Sequence, residues 1–377
     1  MSSVSLQEKS IPMLDLGAQY QSIRAEIREA IDQVLESQHF ILGPEVKALE
    51  NEVAAYCGRR FGVGVASGTD ALTLALCASG IGSGDEVIVP SFSFIATADC
   101  VSLLGAKPVF VDIDPITFCI DSTQIEAKIS PHTKAIVPVH LYGQAADMDL
   151  VLEIARRHNL SVMEDNAQAI GATYKGRKTA SMGDIGCLSF FPSKNLGGYG
   201  DGGMVVTDSE ETAQKLRSLR AHGSLKKYYS TEQGWNSRLD EMQAAILRVK
   251  LRYLDSWGQG RRERAAMYDR LLQAVPEVTL PAIAEGRDHV FHQYTVRVPQ
   301  RDKVQKLLTT RGVASTVYYP TPIHLQPIYS SLGYKMGDLP ECERAAQEAL
   351  SLPIYPELTD EQIAYVATSL GQTLREI

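Results

Sequence analysis

Phe61-Gly-Val-Gly-Val-Ala-Ser-Gly-Thr-Asp-Ala-Leu72 passes from a valine-rich run, through a glycine–hydroxyl turn, into an amphipathic stretch. It predicts a strand at Phe61–Ala66 followed by a helix at Ala71–Ser79. A turn of this kind aims the free N–H groups of a helix start at an anion. Gly68 allows close backbone approach and Thr69 adds a hydroxyl donor, although the same residues also suit a plain helix cap. The unit recurs along the chain. Strand patterns fall at Glu86–Pro90, Pro108–Asp112, Ala135–His140, Ser161–Glu164, Gly186–Phe191 and Gly203–Thr207, with helical stretches such as Asp149–His158 between most of them. This alternation predicts an α/β fold with a mostly parallel sheet flanked by helices. A helix at Tyr20–Gln38 is expected outside the sheet. Downstream, helical runs at Arg238–Leu254 and Arg261–Ala274 precede a change of character. Strand (Gln293–Val298), helix (Asp302–Arg311), strand (Ser315–Tyr319) and helices (Glu341–Ser351, Asp360–Leu370) predict a smaller α+β domain. The expected division is a large domain at 1–255 and a small one at 256–377.

The chain has 377 residues, 44% hydrophobic and 22% charged, enough apolar material for one large core and a smaller one. Its net charge of −8, with no basic run, argues against nucleic acid or an anionic membrane as partner. No apolar stretch reaches the roughly 18 residues of a membrane span. The opening MSSVSLQEKSIP lacks the apolar core of a signal peptide, so a cytoplasmic protein is expected. Six scattered cysteines without CxxC spacing read as reduced thiols, and eight histidines form no metal pattern.

Lys194 lies in Ser189-Phe-Phe-Pro-Ser-Lys-Asn-Leu-Gly197, a strand end that opens into a loop with five glycines at 197–203. A desolvated lysine there can be a Schiff-base amine, which implies pyridoxal phosphate; it can equally be an exposed loop residue. Pyridoxal phosphate also needs a carboxylate for its pyridine nitrogen, donors for its phosphate and an aromatic face for its ring. Glu164-Asp-Asn-Ala-Gln-Ala169 offers the carboxylate after a strand, unless the acid caps the next helix. Gly68, Thr69 and Ser189 offer phosphate donors, and Phe92 or Phe94 in Ser91-Phe-Ser-Phe-Ile95 offers the ring face, unless both are core. All of these segments fall just beyond predicted strand ends, where open parallel sheets bind ligands. Gly198, Gly200 and Gly203 spell G-x-G-x-x-G but precede a strand, so they read as a flexible loop beside the lysine. Gly62, Gly64 and Gly68 keep a nicotinamide dehydrogenase as a minor alternative.

The segments SGTDAL, PSFSFIAT, VHLYGQ, EDNAQA, SFFPSKNLGGYGDGGM and GWNSRLDEMQAAI together resemble the DegT/DnrJ/EryC1/StrS aminotransferases. The resemblance runs from IPMLDL at 11 to SLPIYPELT at 351. It implies fold type I of the pyridoxal phosphate enzymes, and amination of keto sugars attached to nucleotides, with L-glutamate as donor. It implies that Lys194 is the Schiff-base lysine and proton carrier. Asp165 matches the pyridine-nitrogen carboxylate, Gln168 the neighbour of the ring hydroxyl, and Gly68, Thr69 and Ser189 the phosphate site. Phe94 matches the stacking ring, leaving Phe92 structural. Asn236 matches a residue that reaches the phosphate from a second subunit, which implies a homodimer with a shared site. Arg238 matches an arginine near the incoming substrate, and Tyr318, Tyr319 and His324 fall where the family contacts its sugar nucleotide. The GDGG loop and NSRLDE segment resemble members acting at sugar C3 somewhat more than C4. A cyclitol or aminoshikimate-type ketone as acceptor stays an alternative. So does a non-catalytic regulator, which the presence of Lys194 and Asp165 disfavours.

Overall fold

The structure, a computed structural model, describes residues 10–226 and 228–377. Most of the opening segment expected to lack a signal peptide, residues 1–9, therefore lies outside the described residues. Among the described residues no helix is long and apolar enough to cross a membrane.

Five strands come first: β1 (Phe61–Val65), β2 (Glu86–Pro90), β3 (Lys107–Val111), β4 (Thr133–Ile136) and β5 (Ser161–Asp165). A two-residue ribbon of β6 (Thr173–Tyr174) and β7 (Arg177–Lys178) precedes β8 (Ile185–Ser189) and β9 (Gly203–Thr207). Seven of these form one sheet in the order β1-β9-β8-β5-β4-β2-β3. The β2–β3, β2–β4, β4–β5 and β5–β8 pairs are parallel, whereas β9 runs antiparallel to both β8 and β1. The sheet is thus mixed through a single reversed strand. Because β1 and β8 share a direction, the carboxyl ends of β1, β2, β5 and β8 all open on one edge. Valine-rich strands such as Val87–Val89 are fully buried, as a sheet covered on both faces requires.

Helices cover the sheet. Ser67 caps the Gly68–Ala78 helix by accepting the Asp70 N–H at 3.0 Å, and its residues 71–76 are buried. The first helix begins earlier than expected, at Leu16, because Asp15 caps it through the Ala18 N–H at 2.9 Å. Pro44–Tyr56 is a helix the sequence pattern did not reveal; Pro44 at its first turn fixes its start. The run expected as Arg238–Leu254 and Arg261–Ala274 forms helices Glu241–Leu251 and Leu254–Leu272.

Two expectations in the tail are corrected. Ser315–Tyr319 is not a strand and makes only an isolated bridge between Thr316 and Ser351. The expected helix Glu341–Ser351 stops at Glu348, and Ala349–Leu352 becomes β11, antiparallel to β10 (Tyr294–Arg297). All four β11 residues are buried, and Ser351 Oγ meets Thr295 Oγ1 at 2.8 Å across the pair. Tertiary pairing here overrides the helix preference of the preceding residues. Around this ribbon a second apolar cluster forms, with Tyr268 stacked on Tyr294 at 4.8 Å. Ile323, Tyr329, Cys342 and Ala345 instead join the cluster around the main sheet.

Candidate active site

A cavity of about 630 Å³ opens where the carboxyl ends of β1, β2, β5 and β8 converge. Gly68, Thr69, Phe94, Asp165, Gln168, Ser189, Lys194, Tyr318 and Tyr319 all stand in its wall. Residues up to about 250 positions apart in sequence thus meet because four strands point the same way. Asn236 and Arg238 do not line it, and Asn236 is exposed. His324 does not line it either. It is buried, its Nδ1 2.7 Å from Ser91 Oγ and its Nε2 3.2 Å from Glu343.

At one end of the cavity the helix start at Gly68 abuts Ser189. A Cβ on Gly68 would sit 2.6 Å from Ser189 Cβ and 2.9 Å from its Oγ. Ser67 Oγ takes the Asp70 N–H, and Asp70 in turn accepts from Ser237 Oγ at 2.6 Å. The helix's first N–H groups, at Gly68 and Thr69, therefore face the cavity with the positive end of the helix dipole.

Neighbouring carboxylates on β5 have opposite roles, because successive side chains of a strand point to opposite faces. Glu164 points away from the cavity. It accepts the N–H groups of Ala180 (2.8 Å), Met182 (2.6 Å) and Gly183 (2.7 Å) and faces His140 Nε2 at 2.9 Å. His140 Nδ1 accepts the Ala146 N–H, so Nε2 carries the proton that bonds Glu164. Burial pushes the Glu164 carboxyl up, but these partners outweigh it and hold it below the usual range. Asp165 points into the cavity. Thr97 Oγ1 donates to it at 2.9 Å and the Ala167 N–H at 3.2 Å. Burial nevertheless raises its carboxyl above the ordinary value, against those bonds and the charge of Lys194.

Lys194 supplies the opposing amine. Burial pulls it down to about 8, and Asp165 only partly offsets this. A lysine at that value is substantially neutral near pH 8 and can act as a nucleophile or base. The glycine-rich segment after it, expected to be flexible, is held in place. Gln243 Oε1 accepts the Tyr199 N–H at 2.8 Å, and buried Lys250 donates to Gly197 O at 2.6 Å while lying over the Tyr199 ring. A Cβ on Gly197 would come 2.3 Å from Pro192 O, so close packing explains that glycine.

Phe94 is 55% exposed in the cavity wall, whereas Phe92 is 1% exposed and packs on Phe118. Gln168 is fixed at both ends of its amide, accepting the Tyr142 N–H at 2.8 Å and donating to Tyr319 Oη at 3.0 Å. The wall also contains Ser93, Thr97, His292 and Gln293, which sequence reasoning did not single out. Thr97 sits inside a quoted segment, three residues past Phe94, as a Thr on the first turn of the Ala96–Leu103 helix. His292 and Gln293 lie on no motif, and no local signal marks them. Among the described residues no group of His, Cys, Asp and Glu is arranged to hold a metal, and all six cysteines are free.

Comparison with known proteins extends this geometry. A "Pleiotropic regulatory protein" of Geobacillus stearothermophilus is 54% identical over 97% of this chain and 99% of its own. A UDP-N-acetyl-3-dehydro-alpha-D-glucosamine 3-aminotransferase of Acidithiobacillus ferrooxidans is 50% identical over 98% of this chain and 99% of its own. The solved structure of S. venezuelae DesV in complex with a ketimine intermediate superimposes with a TM-score of 0.95 at 46% identity, covering 98% of this chain and 100% of that one. The model of the DegT/DnrJ/EryC1/StrS aminotransferase family matches residues 21–371, and the chain belongs to that family.

Proposed function

We propose that the chain transfers an amino group from L-glutamate to a keto sugar carried on a nucleotide, using pyridoxal phosphate. One observation carries this: a depressed lysine amine and a buried carboxylate with a raised pKa face the same strand-end cavity. The residues present fit the cofactor. Gly68, Thr69 and Ser189 would take the phosphate, Phe94 the ring face, Gln168 the ring hydroxyl and Asp165 the pyridine nitrogen. When bound, pyridoxal phosphate supplies an aldehyde for amine exchange and a ring that accepts electrons. Lys194 would hold it through its amine, and that amine, free of the cofactor, would carry the proton to and from the substrate carbon. Asp165 would hold the pyridine nitrogen protonated, and that cation would relieve the carboxylate's own desolvation.

The A. ferrooxidans relative, named as a 3-aminotransferase, supports C3 as the aminated carbon. Arg238 suits the donor carboxylate or the nucleotide diphosphate, since a guanidinium pairs with either. Tyr318 and Tyr319, in the wall, suit the sugar, whereas buried His324 would act only through its neighbours. Asn236 lies outside this chain's own cavity, and Phe40, Ile41, Leu225 and Trp235 are exposed. Both features support a homodimer in which Asn236 serves the partner's site. A cytoplasmic enzyme with domains dividing near residue 255 completes the proposal. The name of the Geobacillus relative favours a regulator as second reading; the assembled Lys194–Asp165 site favours the enzyme.

The test is borohydride reduction of protein loaded with pyridoxal phosphate, followed by peptide mapping. Label is expected on Lys194, and Lys194→Ala is expected to lose both the label and transamination from glutamate. Turnover retained by Lys194→Ala would refute the assignment. A panel of UDP-, dTDP- and GDP-linked 3-keto and 4-keto sugars then identifies the acceptor; activity on a cyclitol ketone alone would replace the sugar-nucleotide proposal.

A further inference from the structure

Thr97 stands in the cavity wall on the first turn of the Ala96–Leu103 helix, where no side chain caps the helix start. Its hydroxyl is turned across to β5 instead and meets Asp165 Oδ2 at 2.9 Å. On its other side it meets Ser93 Oγ, also at 2.9 Å. All three residues are buried. An ionised carboxylate only accepts, so Thr97 gives its one proton to Asp165. That leaves Thr97 only lone pairs for Ser93, and Ser93 is the donor between them. The hydroxyl chain therefore runs one way, from Ser93 through Thr97 to Asp165. Protonating Asp165 would reverse it.

The other carboxylate oxygen, Oδ1, accepts the Ala167 N–H at 3.2 Å. One oxygen is thus held by a side chain of the Ala96–Leu103 helix and the other by backbone just past β5, which fixes the plane of the carboxylate. Each oxygen keeps a lone pair for the cavity. Burial raises the Asp165 carboxyl, opposed first by the Ala167 N–H and then by Thr97. Lys194, His140, Tyr319, Cys100 and Cys187 are the other titratable groups around it.

We propose that Thr97, backed by Ser93, is a positioning residue for Asp165: the hydroxyl chain fixes the carboxylate plane and favours its ionised form, so that it meets the pyridine nitrogen ready to pair. This rests on the role proposed for Asp165. The Ala167 N–H alone would anchor one oxygen and leave the plane free to turn about it.

The apoprotein tests the hydroxyl chain without the cofactor. Thr97→Val keeps the shape and removes the donor, while Ser93, itself in the wall, can turn its proton to the open cavity. The Asp165 carboxyl then loses a bond to its charged form, and its pKa should rise by about one unit. Folding already favours the protonated form, so the added penalty is fully present above the folded pKa and vanishes below the unfolded value of about 3.9. Melting curves from pH 4 to 8 should show Thr97→Val falling further below wild type as pH rises, with Thr97→Ser close to wild type throughout. A deficit that is flat with pH, or Thr97→Ser falling as far as Thr97→Val, would overturn the proposal. Pyridoxal phosphate titration reads the consequence for the site. Affinity should fall about tenfold in Thr97→Val, and by less than about threefold when the same substitution is added to Asp165→Asn. Equal losses in both backgrounds would show that Thr97 does not act through Asp165. Failure of the cofactor proposal itself would show instead as absence of borohydride label on wild-type Lys194, and the melting comparison would still stand.

Discussion

Replacing Asp165 by Asn separates what the site does for the cofactor from what it costs the fold. The two side chains have the same shape. Thr97 Oγ1 now donates to Asp165 at 2.9 Å and meets Ser93 Oγ at 2.9 Å. A hydroxyl can reverse, accepting from the new amide and donating to Ser93, while the amide oxygen keeps the Ala167 N–H. What is lost is the one charge proposed to pair with the pyridine nitrogen. Removing one member of a buried ion pair costs about 3–5 kcal/mol. At about 1.4 kcal/mol per tenfold, this weakens pyridoxal phosphate binding by roughly two to three and a half orders of magnitude. The apoprotein should move the other way. Burial raises the Asp165 carboxyl in the folded state, so folding favours its protonated form. The penalty is therefore fully present above the folded pKa and vanishes as pH falls below the unfolded value of about 3.9. Asp165→Asn apoprotein should melt above wild type at neutral pH, and the gap should close in acid. Equilibrium titration with pyridoxal phosphate and melting curves from pH 4 to 8 read both effects. Cofactor affinity within threefold of wild type would refute the pairing; a neutral-pH melting point below wild type would refute the desolvation account.

Two further substitutions probe the walls. Gly68→Ala would place a methyl group 2.6 Å from Ser189 Cβ and 3.2 Å from its Cα, so the helix start must move away from Ser189 and the proposed phosphate cradle is pulled apart; cofactor affinity should fall at least about tenfold with little loss of stability, and an unchanged titration would remove Gly68 from the proposed phosphate site. Lys250→Met removes the donor to Gly197 O, and because burial lowers the lysine to about 8, the wild-type fold gains on the variant as pH rises from about 8 toward the unfolded value of about 10.4; a melting difference that is flat between pH 7.5 and 10 would contradict this.

How far the sequence could be read depended on how local each signal was. Valine-rich strands, hydroxyl turns after them and amphipathic helices are short-range patterns, and the sheet and its strand-end motifs were legible for that reason. The reversal of β9 was not, because direction in a sheet is a property of the partner strand rather than of Gly203–Thr207 itself. The same holds for β11, where pairing with Tyr294–Arg297 decided what a Glu- and Ala-rich segment became. Glu164 and Asp165 are adjacent acids that composition cannot rank. Strand alternation ranks them once β5 is placed, giving one to His140 and three backbone N–H groups and the other to the cavity.

The glycines after Lys194 show the opposite error, since their number suggested freedom while their neighbours impose confinement. Gln243 and Lys250 hold that loop from one helix, and Asn195 ties the lysine's own backbone to Val290 and His292 from another part of the chain. An amine that the proposed reaction releases and recaptures each cycle cannot be placed by its own flexible side chain, so the precision has to come from the backbone on either side. Pro192 and Phe191 fix one side through the Lys194 N–H bond to Phe191 O at 2.8 Å and the close approach of Gly197. Asn195 fixes the other through Val290 O and His292, a contact no motif marked because it arises only where two distant segments meet.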